Sequence, residues 1–446
     1  MHLFSTKTSN KHIIINLLFS SLVISFIAGN LVLNLNIALF IVFSFFFFKK
    51  EIYKINFDFF DKILIFLFSY ILICTLLNNI FYFKNGSVEN FSIFIKSVLF
   101  LRFLVFYLIV KFLINESIIN LKIFFITTFV SVTFVCMDVI YQLIFGYDIF
   151  GYEAVDRRLS GPFGDELIAG SFVQRFSLIS LFLIPIFIKF KKNFNNYVIT
   201  IFLIILYLFV LVLSGNRIPL VFFIFSIIGI TIFEKKLRKF FLPFLILAIS
   251  IIFLVYNFSQ DYRNHLLSFK EKTVQILLPF SSKNLLLAEE EEKYENYQSY
   301  TYEYKGKKYK LTNSHLKEFK TGYLTWLDRK FFGGGMKSFK INCPKSGIVN
   351  CGSHPHNYYL EILSSLGLVG FFTIFILFSF AFIKTFIKKY FKKSKLNNFH
   401  LITPFIFLFF LEIFPIKSTG SFFSTGNATY IFLILSILIP LSKTKN

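Results

Sequence analysis

The chain has 446 residues, of which 56% are hydrophobic and 21% aromatic, and its mean hydropathy is +0.68. This excludes a soluble globular protein and a disordered chain, since too little polar surface is left to cover so large an apolar content. The net charge of +23 would point to nucleic acid in a soluble chain, but in one this apolar it reads as membrane topology and not as a nucleic-acid partner.

A bilayer helix needs about 20 mostly apolar residues, and backbone in lipid must satisfy its own hydrogen bonds, so apolar runs predict helices. Twelve are predicted, near 13–29, 31–48, 60–78, 91–114, 121–145, 169–188, 197–213, 218–233, 240–256, 357–382, 400–416 and 428–441. The expected fold is an all-α polytopic membrane protein. Residues 1–256 hold helices 1–9, residues 257–353 form one large periplasmic loop subdomain, and residues 354–446 hold helices 10–12. The first two runs lie close enough to form a hairpin or a re-entrant pair. No small-residue cleavage site follows the first, so it reads as a retained span and not a signal peptide.

With the N-terminus inside, the inner segments carry Lys49, Lys50, Lys54, Lys189, Lys191, Lys192, Lys235, Lys236, Lys388, Lys389, Lys392 and Lys393. The short outer loops carry only Lys84, Arg157, Arg158, Arg217 and Lys417. The positive-inside rule therefore places both termini in the cytoplasm and the large loop outside.

Taken in chain order, the first outer loop of note, 146–168, holds Arg157 and Arg158. The next is the turn Ser214-Gly215-Asn216-Arg217. So short a turn holds Arg217 at the membrane surface, where a cation calls for an anionic partner. Arginine suits phosphate, because its planar fork stays charged and bonds in pairs. Snorkelling beside headgroups is the alternative for Arg217, and a solvated loop pair is the alternative for Arg157 and Arg158.

In the large loop, residues 261–278 carry helical apolar spacing and 289–298 are acidic and solvated. Tyr300–Leu311 alternates around Lys305-Gly306 and predicts a β-hairpin. Residues 315–330 predict an amphipathic helix with the only tryptophan, Trp326, and Gly333-Gly334-Gly335 predicts a flexible turn. Cys343 and Cys351 stand eight positions apart. An oxidising exterior permits a disulfide between them, which would fix the approach to the segment that follows. Cys74 and Cys136 lie inside spans and read as packing residues.

The loop ends in His354-Pro355-His356-Asn357, and after nine residues comes Gly367-Leu368-Val369-Gly370. Imidazole changes charge near neutral pH and so can move a proton during a reaction; a loop or capping histidine is the commoner alternative. The glycines would let the helix pack closely on a neighbour. Asn357 would cap the helix or orient the imidazole. Glu361, one turn on, would pair with His356, with an arginine or with a structural partner. There is no P-loop, no G-x-G-x-x-G and no zinc-spaced set, so neither a metal nor another cofactor is predicted.

These residues resemble the O-antigen ligase and polymerase family. The signature is His356-Asn357, nine residues, then Gly367-x-x-Gly370. Upstream, Asp138, Gln142 and Gly146 resemble its "D…Q…G", and Arg158-Leu159-Ser160-Gly161-Pro162-Phe163 its "R-x-x-G-x-F". Ser214–Arg217 resembles its "S/T-G-S-R" turn, and Trp326 with Phe332–Gly335 and Phe339 its "W…G-x-G…F". The similarity runs from about residue 135 to 375.

The resemblance implies an inverting, metal-independent membrane glycosyltransferase of the GT-C type in the bacterial inner membrane. Its donor would be a glycan on undecaprenyl diphosphate. Its acceptor would be lipid A-core, a growing O-antigen chain or a protein hydroxyl. Carried over by position, His356 is the essential histidine, with His354 beside it, and Arg217 and Arg158 are diphosphate contacts, with Arg157 adjacent. Gly164-Asp165-Glu166 stands where the family often has Pro-Asn. The arginine the family places before the tryptophan is also missing, which leaves Lys320 or Arg263 as its substitute. A flippase for lipid-linked sugars is the competing class. It would account for the intramembrane Lys96, Arg102, Asp138 and Arg175, but not for a large outer loop ending in a histidine motif.

Overall fold

The computed structural model describes residues 9–82, 88–154, 158–188, 193–235, 237, 238, 241–243, 245, 246, 250, 253, 257, 263, 300–304, 307–311, 314–349, 351–391, 401–415, 417 and 420–443. Arg157, the helical stretch read at 261–278 apart from Arg263, and the acidic run at 289–298 lie outside them.

The N-terminal helices are α1 (Asn10–Ser20), α2 (Leu22–Ile27), α3 (Asn30–Ile52), α4 (Phe59–Tyr82), α5 (Val88–Asn115) and α6 (Leu121–Phe145). Then come α7 (Ala169–Phe187), α8 (Asn193–Leu213) and α9 (Arg217–Phe233). The first two predicted runs form the hairpin. Gly29 turns the chain at φ +96°, and Asn36 of α3 joins the hydroxyls of Ser21 and Ser25 across it at 3.0 and 2.8 Å.

Within the predicted loop, β1 (Tyr300–Tyr304) pairs antiparallel with β2 (Lys307–Leu311), Tyr300 opposite Leu311, as the alternation requires. The helix α10 (Ser314–Leu327) is the amphipathic one. It is followed by α11 (Phe339–Lys345) and β3 (Ile348–Val349), which adds to the other edge of β1. Leu316, Leu324, Phe339, Cys343 and Ile348 form a small apolar cluster of their own. Cys343 and Cys351 are joined as a disulfide.

The chain returns through α12 (Tyr358–Tyr390), α13 (Thr403–Glu412) and α14 (Thr425–Leu441). Among the described residues seven helices are long and apolar enough to cross a membrane: Asn10–Ile27, Asn30–Ile52, Phe59–Ile80, Phe91–Asn115, Leu121–Phe145, Ala169–Phe187 and Tyr358–Tyr390. Val198–Leu213, Arg217–Phe233, Thr403–Glu412 and Thr425–Leu441 are shorter apolar helices. The run read as a span at 400–416 thus gives a helix of only 10 residues, because Glu412, Pro415 and Lys417 end it inside the protein. Most of the span read at 240–256 lies outside the described residues.

Phenylalanine supplies much of the main core. Phe68, Phe100, Phe103 and Phe432 pack face-to-face and edge-on with ring centroids 5.1–6.3 Å apart, a spacing at which aromatic pairs gain beyond area burial. At one end of the bundle, Lys111 binds Asp58 at 2.8 Å and also Asp61, and Lys443 binds Asp58 at 3.1 Å. At the C-terminal end of α12, Lys389 binds Glu234 at 2.5 Å. The histidine motif stands at the opposite end, at the start of α12.

Candidate functional site

Helix α10 presents one face to the strap 351–357. His315, Glu318 and Gly322 recur at helical spacing and so share that face. A Cβ on Gly322 would stand 2.6 Å from the Pro355 ring, and one on Gly352 would stand 2.6 Å from Oε2 of Glu318. The fit brings three histidines together. The ring centroid of His356 is 4.2 Å from that of His354 and 5.7 Å, edge-on, from that of His315. Among the described residues they do not make a group able to hold a metal ion.

His356 adopts φ +53°, a left-handed conformation uncommon outside glycine. Such a residue persists only where its surroundings enforce it. Here the disulfide holds one side of the strap and the buried Pro355 the middle. Burial, with His356 adding to it, lowers the pKa of His354 to about 4. His354 is therefore neutral near pH 7, and its Nδ1 lies 2.8 Å from the Ser353 hydroxyl. Burial raises the carboxyl of Glu318, against the opposing pull of Lys317 and the Gly352 amide.

Asn357 caps α12. Its Oδ1 accepts from the amides of Tyr359 and Leu360 at 3.0 and 3.1 Å. Its Nδ2 donates to the carbonyls of Pro415 and Lys417 at 2.8 and 3.3 Å. Of the two roles open to it, capping is the one built. Glu361 pairs with neither His356 nor an arginine in the described contacts: it accepts from Ser421 Oγ at 2.6 Å and from the Phe422 amide at 2.5 Å. Asn357 thus holds Pro415 and Lys417, and Glu361 holds Ser421 and Phe422, against the start of α12.

Deeper in, Glu412 gathers Arg175 at 2.6 Å, Lys417 at 2.5 Å and the Tyr358 hydroxyl at 2.7 Å. Arg175 also donates to Asn427 at 2.7 Å. Two cations on one buried carboxylate leave a net positive charge, which is sustainable only with this many partners.

Of the glycine pair after the motif, Gly367 makes the close approach to a neighbour. Gly367 interrupts α12 with φ +65° and ψ −165°, and a Cβ there would collide with the Phe331 carbonyl. The neighbour is the 330–335 segment, not a helix. Gly334 and Gly335 donate to the Ser364 and Ser365 carbonyls at 3.0 and 2.8 Å, and Leu368 donates to Lys330 at 2.8 Å. The expected flexible turn is thus a fixed clamp, seated on α4 by Asn78, which donates to Gly333 at 3.3 Å and accepts from Arg329 at 2.8 Å. Trp326 holds its entrance, donating from Nε1 to the Lys330 carbonyl at 3.0 Å.

The arginine turn is built from the upstream motifs. Gln142 accepts from the Gly161 amide at 2.9 Å, and Asp138 from the Ile149 amide at 2.9 Å. Gly146, at φ +84°, ends α6. Arg158 then lies over Gly215, its Cγ 2.8 Å from where a Cβ would stand, so the loop of Arg158 and the turn of Arg217 form one exposed unit. Asn216 ties that turn to the Leu167 carbonyl at 2.8 Å. Helix α9, which Arg217 begins, meets the 413–424 segment where Lys417 Nζ stands 5.9 Å from the Phe222 ring.

Lys320 lies on α10, 5.8 Å from the Tyr323 ring, and Arg263 donates to the Asn257 carbonyl at 3.1 Å. Neither contact joins the arginine turn. Sequence reasoning does not reach His315, and it leaves Arg175, Glu412 and Lys417 out of the site. The one local signal for these three is charge inside apolar runs.

Residues 202–375 match the family model described as O-antigen ligase. The match takes in the Arg217 turn, Trp326, the glycine clamp and the block from His356 to Gly370. No curated protein matches the chain.

Proposed function

We propose that this chain, whose residues 202–375 match the O-antigen ligase family, transfers a glycan from undecaprenyl diphosphate to an acceptor hydroxyl on lipid A-core. The observation that carries this reading is the enforced left-handed His356, packed between His354 and His315 at the end of the bundle that also bears the Arg158–Arg217 turn. The lysine-rich pairs at the other end, Lys389 and Lys443 among them, favour a periplasmic site in the inner membrane.

In this mechanism His356 accepts the proton of the acceptor hydroxyl. The oxygen attacks the anomeric carbon from the face opposite the diphosphate, so the configuration inverts. The bond from that carbon to the diphosphate oxygen breaks, and its electron pair leaves with the polyprenyl diphosphate. Arg217 and Arg158 neutralise the charge that develops there, which is where fixed cations lower a barrier most. Arg175 and Lys417 add positive potential from below.

The test uses purified protein in detergent with a labelled lipid-linked glycan and lipid A-core. Wild type should form a larger product in this single compartment, where a flippase has nothing to act on. His356→Ala, with its thermal stability retained, should form none. Transfer by that variant near the wild-type rate would remove His356 from the chemistry.

A further inference from the structure

The glycine clamp belongs to the stretch that hydropathy places outside the membrane, yet it packs on two helices at membrane depth. These helices, α4 and α12, are both long and apolar enough to span a bilayer. They share a level at Phe59 and Phe380, whose ring centroids lie 5.9 Å apart. Asp58, bound to Lys111 and Lys443, and the exposed Lys384 mark that level as one edge of the membrane. From it α12 rises about 20 Å to Gly367, and α4 rises about 22 Å to Cys74. The hydrocarbon core of a bilayer is about 30 Å thick, so both positions lie inside it, about 10 Å short of the far edge. The clamp meets the helices there. The Phe331 carbonyl accepts from the Val369 amide at 3.2 Å, and the Phe332 carbonyl accepts from Cys74 Sγ at 2.8 Å.

The bonding of the segment suits that depth. Non-helical backbone at membrane depth must find its partners in protein, because hydrocarbon offers none. The Lys330 carbonyl accepts from the Leu368 amide at 2.8 Å, Phe332 also accepts from the Tyr70 hydroxyl at 3.3 Å, and Gly333 accepts from Asn78 Nδ2 at 3.3 Å. The amides of Gly334, Gly335 and Met336 donate to Ser364, to Ser365 and to Thr75 Oγ1. One turn beyond Cys74, near the far edge of the core, Asn78 accepts from Arg329 at 2.8 Å. A cation is at home there among the headgroups.

The side chains point to the occupant of the surface. Phe331 and Phe332 are 65% and 66% exposed although their backbones are held. Beside them, Ile73 and Leu77 share the Tyr70 face of α4, Phe372 shares the Val369 face of α12, and all three are exposed. The two phenylalanines therefore continue the apolar surface of the spanning helices.

We propose that residues 329–333 dip into the leaflet on the histidine side, that Phe331 and Phe332 sit among its acyl chains, and that this insertion anchors α10 to the bilayer. Helix α10 runs directly into the segment and carries His315 to His356. One wall of the histidine site is thus fixed from the lipid. Neither the anchor nor its test requires transfer activity.

Trp326, the only tryptophan, reports on the segment without any substitution, since its Nε1 donates to the Lys330 carbonyl at 3.0 Å. The wild-type protein is placed in phosphatidylcholine vesicles brominated either near the headgroup or near the chain end. Bromine near the headgroup should quench Trp326 more than bromine at the chain end, and aqueous acrylamide should quench it least. Strong acrylamide quenching without a response to bromine would put the segment in water and overturn the proposal. Phe331→Trp in a Trp326→Phe background, with Tm retained, should respond to the deeper bromine more than Trp326 does; the reverse order also overturns it.

The other occupants give their own results with that Phe331→Trp protein. Bromine quenching that disappears when undecaprenyl phosphate is added assigns the surface to a polyprenyl chain. Quenching that disappears as protein density rises assigns it to a second copy. Either result removes bulk acyl chains as the occupant. The anchoring is read by amide exchange in vesicles. Phe331→Ser with Phe332→Ser leaves the backbone bonds in place and should speed exchange across Ser314–Leu327. Unchanged exchange there would mean that the pair holds nothing.

Discussion

The imidazoles of His354 and His356 stand with ring centroids 4.2 Å apart, in a strap where burial first, and this closeness second, oppose the charged form of His354. Burial, with His356 adding to it, lowers the pKa of His354 to about 4, while an unfolded histidine titrates near 6.5. Between these values the unfolded chain binds more protons than the folded one. The stability contributed by neutral His354 is therefore complete above about pH 6.5 and is lost as pH falls toward 4. His354→Ala should flatten that acid-side loss. The check is the difference in Tm between pH 7 and pH 4.5, which should be smaller in the variant than in wild type.

Gly367 and Gly146 both adopt positive φ, but only Gly367 faces a neighbouring backbone, and nothing lies within 4 Å of a Cβ at Gly146. Gly367→Ala should cost at least about 2 kcal/mol, since it adds collision with Phe331 to the backbone strain. Gly146→Ala should cost only the strain. Proteolysis of the 330–335 segment measures the difference, and equal rates in the two variants would contradict the clamp.

Asn357 has two separable functions, one in each half of its amide. Asn357→Asp keeps the cap and loses the donors to Pro415 and Lys417, whereas Asn357→Ala loses both. The alanine variant should lose about 1 kcal/mol from the missing cap. The aspartate variant should retain the helix start. Both should lose transfer activity if the 413–424 segment must be held in place. Tm and turnover measured side by side resolve the two contributions.

Glu412 is the hub of a buried network, so its removal strands charge. Glu412→Gln leaves Arg175 and Lys417 without their carboxylate and should destabilise by about 3–5 kcal/mol. A loss of Tm should appear even in the absence of any substrate. A stable but inactive variant would mean that the carboxylate serves the reaction alone.

The disulfide closes a short loop, and Cys343→Ser with Cys351→Ser should loosen the strap by about 2–3 kcal/mol on the chain-entropy view. The expected result is faster proteolysis near residues 346–356, with the transmembrane helices equally resistant. Activity should fall with it, because His356 is held in its left-handed conformation from that side.

Features whose signal is local are legible in the amino-acid sequence by itself. Apolar run length announces a membrane protein. Two-residue alternation marks the hairpin at Tyr300–Leu311, and helical spacing marks the helix Ser314–Leu327. The Cys343–Cys351 pair and the His356-Asn357 block are also visible, because the residues that matter lie within a few positions of one another.

What the tertiary structure alone decided is contact across the chain. Arg175 meets Glu412 across a separation of 237 residues, and no local pattern encodes that meeting. His315 joins His356 only because α10 lays one face on the strap, and Gly333 meets Ser365 only because two backbones touch. Of the partners left open to Glu361, the fold supplies the structural one, a hydroxyl and an amide. Hydropathy and periodicity report what a segment prefers by itself. A buried charge or a close-packed glycine is determined by what the rest of the fold brings against it.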